Sequence, residues 1–224
     1  MFSSPASARR ASGDETRLRL IAAATDAFLE AGFHAARVQK IAQRAGVRLS
    51  AINYHFESKE GLYLAVLQQH AEKALAASPL LPPGDDQPLR ARFDFAVAAL
   101  VSRMLDEGNH SRIGQLLLRE LVNPTPALTR LVENFSLPQA QTFLQLLTEA
   151  AGPAVPREAL ARCLISIFGQ CMVYVAGRPV ITRVAPEVLA AEDVLPRITQ
   201  HVAEFSWAGL QAVRRQWEGT DAPA

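Results

Sequence analysis

From Asp14 onward, apolar residues recur at helical spacing: Leu20, Ile21, Ala24, Phe28 and Leu29 share one stripe, and Gly32 supplies the stop. A short second helix keeps Val38, Ile41, Ala42 and Ala45 inward and ends at Gly46, the residue best able to take φ > 0 in a tight turn. Residues 49–56, LSAINYHF, form a third short helix held by Ile52 and Phe56. Ser58 caps a longer helix from Lys59 to about Ala77. Glu60 lies near its positive end, and Gly61 stands where a capping-box acid is expected.

The stretch from Pro79 to Pro88 is the clearest break in the chain and reads as a loop inside a second domain. Further helices are expected at about 89–107, 110–122, 126–135, 138–151, 157–177 and 193–217, with Gly108, Pro124, Pro138, Gly152, Pro153, Pro156, Pro179 and Pro186 between several of them. Strand alternation bounded by hairpin turns is absent, so the expected fold is all-α. The expected divisions are a flexible tail over 1–13, a three-helix domain over 14–60 and a helical domain over 61–224.

Two of these helices carry surplus apolar surface. Segment 157–177 is apolar around most of its circumference, through Leu160, Leu164, Ile165, Ile167, Phe168, Cys171, Met172, Val173 and Val175. The last helix shows a stripe through Leu195, Ile198, Val202, Phe205, Gly209 and Val213, with Trp207 and Trp217 off it. Neighbouring helices of this kind imply a partner.

Composition changes the picture only modestly. With 49% hydrophobic and 20% charged residues, the 224-residue chain can bury a core and is not wholesale disordered. A net charge of +1 argues against a protein that coats nucleic acid nonspecifically. Residues 1–60 nevertheless hold nine Lys/Arg against six Asp/Glu, and the remainder 14 against 16, a basic head on an acidic body. Cys163 and Cys171 lie eight residues apart on one expected helix, a rise of roughly 12 Å. A disulfide needs Cα atoms about 4.4–6.8 Å apart, so both read as buried thiols of a reducing compartment. MFSSPASARRASGDE holds no signal-peptide run, and the uncharged stretch between Arg162 and Arg178 is shorter than the ~20 residues that cross a bilayer. A soluble, cytoplasmic protein with no membrane partner is expected.

Two short helices joined through a glycine turn and packed on a first helix form a helix-turn-helix pattern. The second of them must offer a narrow polar face to a major groove about 12 Å wide while its apolar face docks on the domain. TRLRLIAAATDAFLEAGF (16–33), VQKIAQRAGV (38–47) and INYHFESKEGLYLAV (52–66) resemble the N-terminal domain of TetR-type regulators. REL-V-NPTPAL (119–128) and SIFGQCMVYVAGRPVITRV (166–184) resemble the C-terminal domain of the CecR branch of that family.

The resemblance implies a helix-turn-helix DNA-binding domain followed by a helical ligand-binding and dimerisation domain. It places Gln39, Ser50, Ala51 and Asn53 at base edges. Arg37, Arg48, Tyr54, His55 and Lys59 fall near the phosphate backbone. The chemistry agrees: Gln and Asn amides bond adenine in two-pronged fashion, the Ala51 methyl suits a thymine methyl, and Arg, Lys and Tyr are ordinary phosphate donors. His55 fits a helix-end packing role equally well. Arg44 reads as solvated charge, and Arg9 and Arg10 as an unstructured tail sooner than a minor-groove arm. Departures from the family pattern stand at Arg37, where a Thr or Ser cap is usual, and at Arg48, Ser50 and Asn53. The docking mode transfers; the operator sequence does not.

The resemblance also implies a homodimer through helices 157–177 and 193–217, matching a palindromic double-stranded DNA operator. It further implies a small-molecule effector of unstated identity, whose binding releases the operator. Candidate pocket walls are Phe93, Phe95, Met104, Leu117, Phe135, Phe143, Phe168, Met172 and Tyr174, with Arg119, Glu120 and Gln170 as polar groups. The five histidines lack metal-ligand pairings, the cysteines lack CxxC spacing, and no nucleophile elbow, P-loop or dinucleotide fingerprint occurs. No enzyme, metal or cofactor is expected. The competing reading is a helical ligand-binding or partner-binding protein whose DNA head is non-functional, as the unusual Ser50 and Asn53 would allow.

Overall fold

The structure, a computed structural model, describes residues 5–82, 87–105 and 112–218, with side chains from Ser12. The described residues hold helices and no strand. In order they are α1 (Pro5–Ala35), α2 (Val38–Arg44), α3 (Ser50–Phe56), α4 (Lys59–Ala77), α5 (Leu89–Leu105), α6 (Ile113–Val122) and α7 (Ala127–Leu131). A π turn (Val132–Ser136) then leads into α8 (Leu137–Ala151), α9 (Arg157–Ala176), α10 (Arg178–Val184), a 3₁₀ turn (Pro186–Val188) and α11 (Val194–Glu218).

Several boundaries differ from expectation for identifiable reasons. Helix α1 begins at Pro5, nine residues before Asp14 and inside the expected tail. Proline at a helix start needs no N–H partner, and the Ala, Ser and Arg that follow tolerate a helix. Residues 1–4 lie outside the described residues, as do the side chains of Arg9 and Arg10. Gly32 (φ 77°, ψ 168°) breaks α1, as expected of it. The expected 126–135 helix is α7 plus the π turn, running directly into α8, where Pro138 sits in the first turn and so costs no hydrogen bond. Helix α10 was not expected, because Pro179 read as a break. It stands instead in the helix's first turn. The ends of the expected 89–107 and 110–122 helices fall partly on residues 106–111, outside the described residues.

The chain divides into two compact units, Met1–His70 with Arg119–Leu131, and Ala71–Leu118 with Val132–Ala224. The first unit therefore takes in 61–70 and 119–131 besides the three expected helices. Its core joins Leu20, Ile21, Ala24 and Phe28 of α1 to Ile41, Ala42, Ile52, Phe56, Leu62 and Val66, with Ala127 and Leu131 from α7. Tyr63 packs edge-on against Phe28, centroids 4.7 Å apart, and its hydroxyl donates to Glu120 Oε1 at 2.7 Å.

In the second unit α5, α8, α9 and α11 each contact the other three and form a bundle. Phe93, Val97, Phe143, Leu147, Leu160, Ile167, Cys171, Ile198, Val202 and Leu210 fill its centre. The α11 stripe is rotated from the expected one: Ile198, Val202, Ser206 and Leu210 point inward, whereas Phe205 is 63% exposed and Gly209 is exposed. Trp207, expected off the stripe, packs on Phe93 at 5.1 Å between centroids, and the Arg90 guanidinium lies over its ring, 5.1 Å from the centroid.

Candidate nucleic-acid interface

Helix α3 is short and owes its position to its neighbours. After α2 the chain turns at Gly46 (φ 65°), whose N–H donates to Gln43 O while Val47 N donates to Ala42 O at 3.0 Å. Ala51 N and Ile52 N then donate to Arg48 O and Leu49 O, closing the first turn of α3. Ile52 and Phe56 are buried, one helical turn apart, and lock one face against α1 and α2. The other face is open: Ser50 and Asn53 are exposed, and Tyr54 is 84% exposed.

Of the residues expected at base edges, Gln39, Ser50 and Asn53 are exposed and Ala51 is half-buried. Arg37 and Arg48 are exposed at the starts of α2 and α3. Arg37 is the N-cap residue of α2 and makes no capping bond, so the cap lost with Thr or Ser is not replaced. His55 is half-buried, its ring beside those of Tyr54 and Phe56 and facing Gly13 of α1. Lys59 already has protein partners: its Nζ donates to His34 O at 3.1 Å and lies 4.8 Å from the centre of the Phe33 ring. It closes the end of α1, where a cation is favoured.

Arg44 is claimed by Glu30, donating from both Nη atoms at 3.1 and 3.2 Å, and the carboxylate raises its pKa above the ordinary value. Arg17, for which the sequence predicts no contact, lies 5.5 Å over the Phe56 ring beside α3. An i, i+3/i+4 projection of α1 alone gives no sign of that neighbour.

The expected effector residues are divided between the two units. Glu120 is buried in the first unit, where its oxygens accept from Tyr63, from Thr125 N and from Thr125 Oγ1; Arg119 donates to Leu29 O. Both serve the head. In the second unit Phe93 and Phe143 are core, Met172 is buried, and Met104, Leu117, Phe168 and Tyr174 are half-buried. Gln170 Nε2 donates to Ser206 Oγ at 3.0 Å, bridging α9 and α11. A surface recess of about 290 Å³ lies elsewhere, lined by Gln141, Leu144, Gln145, Thr148, Arg157 and Leu160.

Residues 20–66 match the profile of bacterial regulatory proteins of the TetR family, and residues 89–210 match the C-terminal domain of the HTH-type transcriptional dual regulator CecR. The chain is 38% identical over 109 residues to the HTH-type transcriptional activator FasR of Mycolicibacterium smegmatis, covering 48% of this chain and 47% of that protein. It therefore spans about half the length of that curated relative. To the HTH-type transcriptional dual regulator CecR of Shigella flexneri it is 28% identical over 189 residues, covering 75% of this chain and 79% of that one. A solved transcriptional regulator from Rhodococcus shares the fold, with a TM-score of 0.62 at 21% identity over 86% of this chain and 96% of that one. A helix-turn-helix head with an open α3 face, followed by a C-terminal domain of CecR type, makes this chain a member of the TetR family of transcriptional regulators.

Proposed function

We propose that the protein is a cytoplasmic, ligand-responsive repressor that binds a palindromic operator as a homodimer and releases it when a small molecule occupies the C-terminal domain. The observation that carries this reading is the two-sided α3: Ile52 and Phe56 are buried while Ser50, Asn53 and Tyr54 are offered to solvent. Such a helix suits entry into a major groove, with Arg37 and Arg48 as phosphate contacts at the starts of α2 and α3. Lys59 and His55 contribute there only after giving up, or alongside, their contacts within the head.

The homodimer is supported by apolar surface left over on two helices. An 18-residue window of α9 has mean hydropathy 1.6, long and apolar enough by length and composition to cross a membrane, yet only 28% of it is buried. Ile165 (68% exposed), Gly169 and Val173 share one side of it, and Phe205 and Gly209 share the outward side of α11. A second copy related by a two-fold axis covers such a pair of faces symmetrically.

The test is selection of bound sequences from a random DNA pool by the purified protein, followed by titration of the selected site. A palindrome is expected. Arg48→Ala should weaken binding to all sequences alike and lower the salt slope by about one unit. Asn53→Ala should relax the choice of base at one position in each half-site, at about 1–3 kcal/mol. Failure to select any palindrome defeats the reading. The direction of control is read separately, in a reporter strain. FasR is an activator and CecR a dual regulator, and a signal that rises with the protein would replace repression by activation.

A further inference from the structure

The inner stripe of α5 runs through Phe93, Ala96, Val97 and Leu100 and ends on a charge, because Arg103 stands where an aliphatic residue would complete it. Arg103 is 6% exposed. Its Nε donates to Ser78 O at 2.8 Å, at the carbonyl end of α4, and its Nη1 donates to Gln139 Oε1 at 3.1 Å. Neither partner carries a full charge. Its Nη2 is buried with no acceptor, the one buried side-chain nitrogen or oxygen left so among the described residues. No carboxylate of those residues forms an ion pair with it.

Such a group is costly to bury. A cation removed from water is normally kept beside an acid, and a buried donor without an acceptor loses its hydration with nothing in return. Desolvation pulls the Arg103 pKa down to about 10, which still leaves it charged at neutral pH. The carbonyl end of α4 offsets part of that charge. A strut between α4 and α8 would need only the Nε and Nη1 contacts; the Nη2 edge of the fork serves neither.

The surface around the guanidinium narrows the chemistry. On α5, Leu100 precedes Arg103 by one turn and Met104 follows it, both half-buried. On α8, Phe143 lies one turn after Gln139 and is buried against Phe93. Ser78 and Ser102 hydroxyls stand together at 3.3 Å beside it. A single buried charge at the head of apolar helix faces suits one negative charge on an apolar body. A phosphate, with nearly two charges, would want further cations.

We infer that Arg103 anchors the carboxylate of an amphipathic monocarboxylic acid effector, which accepts from Nη2 and lays its apolar part along α5 and α8. This rests on the ligand-responsive reading above and names the ligand's class. Binding gives Nη2 the charged acceptor it lacks among the described residues, so that the acid form of a molecule is held and its neutral form is not.

The experiment compares octanoate with octanamide, and benzoate with benzamide, on the full chain at constant ionic strength. It reads the melting temperature and the ¹⁵Nε resonance of Arg103, assigned by its loss in Arg103→Met. At about five times its Kd an acid should raise the melting temperature of the wild type by about 2–4 °C and shift the Arg103 resonance. The matching amide should do neither. Arg103→Met should lose the acid response, and Arg103→Lys, which keeps the charge on a similar stem, should retain an acid-over-amide preference of reduced size. Acid and amide acting alike, neither shifting the Arg103 resonance, or Arg103→Met responding as the wild type does, each overturn the inference. A protein that binds its operator and releases it only to neutral compounds would sink Arg103 and keep the regulator. One that prefers acids but selects no operator would do the reverse.

Discussion

Glu120 shows how far a single side chain's role depends on partners distant in sequence. Read along the chain, Arg119-Glu120 is a charged pair on a helix and suits a ligand. In the fold its carboxylate accepts from a hydroxyl on α4 and from the backbone and side chain of Thr125, fastening residues 119–131 to the head. Tyr63→Phe keeps the ring against Phe28 but withdraws the donor, leaving a buried carboxylate underserved. A loss of about 1–3 kcal/mol is expected in urea unfolding. The same variant tests a pH effect. Burial, and then the bond to Glu120, raise the Tyr63 pKa well above its ordinary value. The unfolded chain releases this proton near pH 10 while the folded chain holds it. The stabilising difference is therefore intact below about pH 10 and is lost as pH rises beyond it. Between pH 9 and 11 the wild type should lose more stability than Tyr63→Phe, and parallel curves would refute that assignment.

At the scale of the element, the α3–α4 junction decides how the open face of α3 is presented. Ser58 Oγ accepts from Gly61 N at 3.0 Å, the expected cap, and Glu57 turns the chain at φ 65°. A Cβ on Gly61 would stand 2.0 Å from Phe56 O, so the glycine is there for room, and no capping-box acid can replace it. Gly61→Ala should destabilise by about 1–3 kcal/mol and weaken operator binding beyond that of Ser58→Ala, a cap loss of about 1 kcal/mol. Equal operator affinity for the two variants would show that α3 does not depend on this contact. Helices α2 to α4 were legible because glycine turns and a serine cap mark ends that periodicity alone leaves vague. The tight approach at Gly61 was not legible, since it depends on a carbonyl five residues back across a turn. On α11 both candidate stripes contain Ile198 and Val202; Phe205-Gly209 and Ser206-Leu210 differ by one position. Periodicity favoured the larger aromatic, but the bundle took Ser206, which Gln170 satisfies, and left Phe205 outside. Helix α10 was missed because proline marks a helix start as readily as an end, and only the fold tells which.

That outward Phe205 carries a prediction about the whole molecule. Within one copy the 63% exposed Phe205 ring lies 5.9 Å from that of His201, with a bare glycine one turn beyond it, and the second copy proposed above would cover the rest. The glycine lets another helix approach closely, and the ring then fills the space beside it. If the proposed two-fold axis passes beside this face, Phe205→Asp places two like charges in an apolar contact, with both failing to pair. The variant should sediment as a monomer at concentrations where the wild type is a dimer. Its melting temperature should cease to depend on protein concentration. DNA binding supplies the second reading. Two linked heads on successive half-sites gain roughly 10²–10⁴-fold over one, so Phe205→Asp should bind the full palindrome little better than a half-site, while the half-site affinity itself stays unchanged. Ile165→Asp on α9 should behave alike, and Gln141→Asp on α8 should change neither. If Phe205→Asp remains a dimer, another face joins the copies and α11 keeps its phenylalanine for some other contact. If it becomes a monomer yet holds the palindrome at full strength, the two heads are not read together, and twofold symmetry plays no part in how this regulator finds its site.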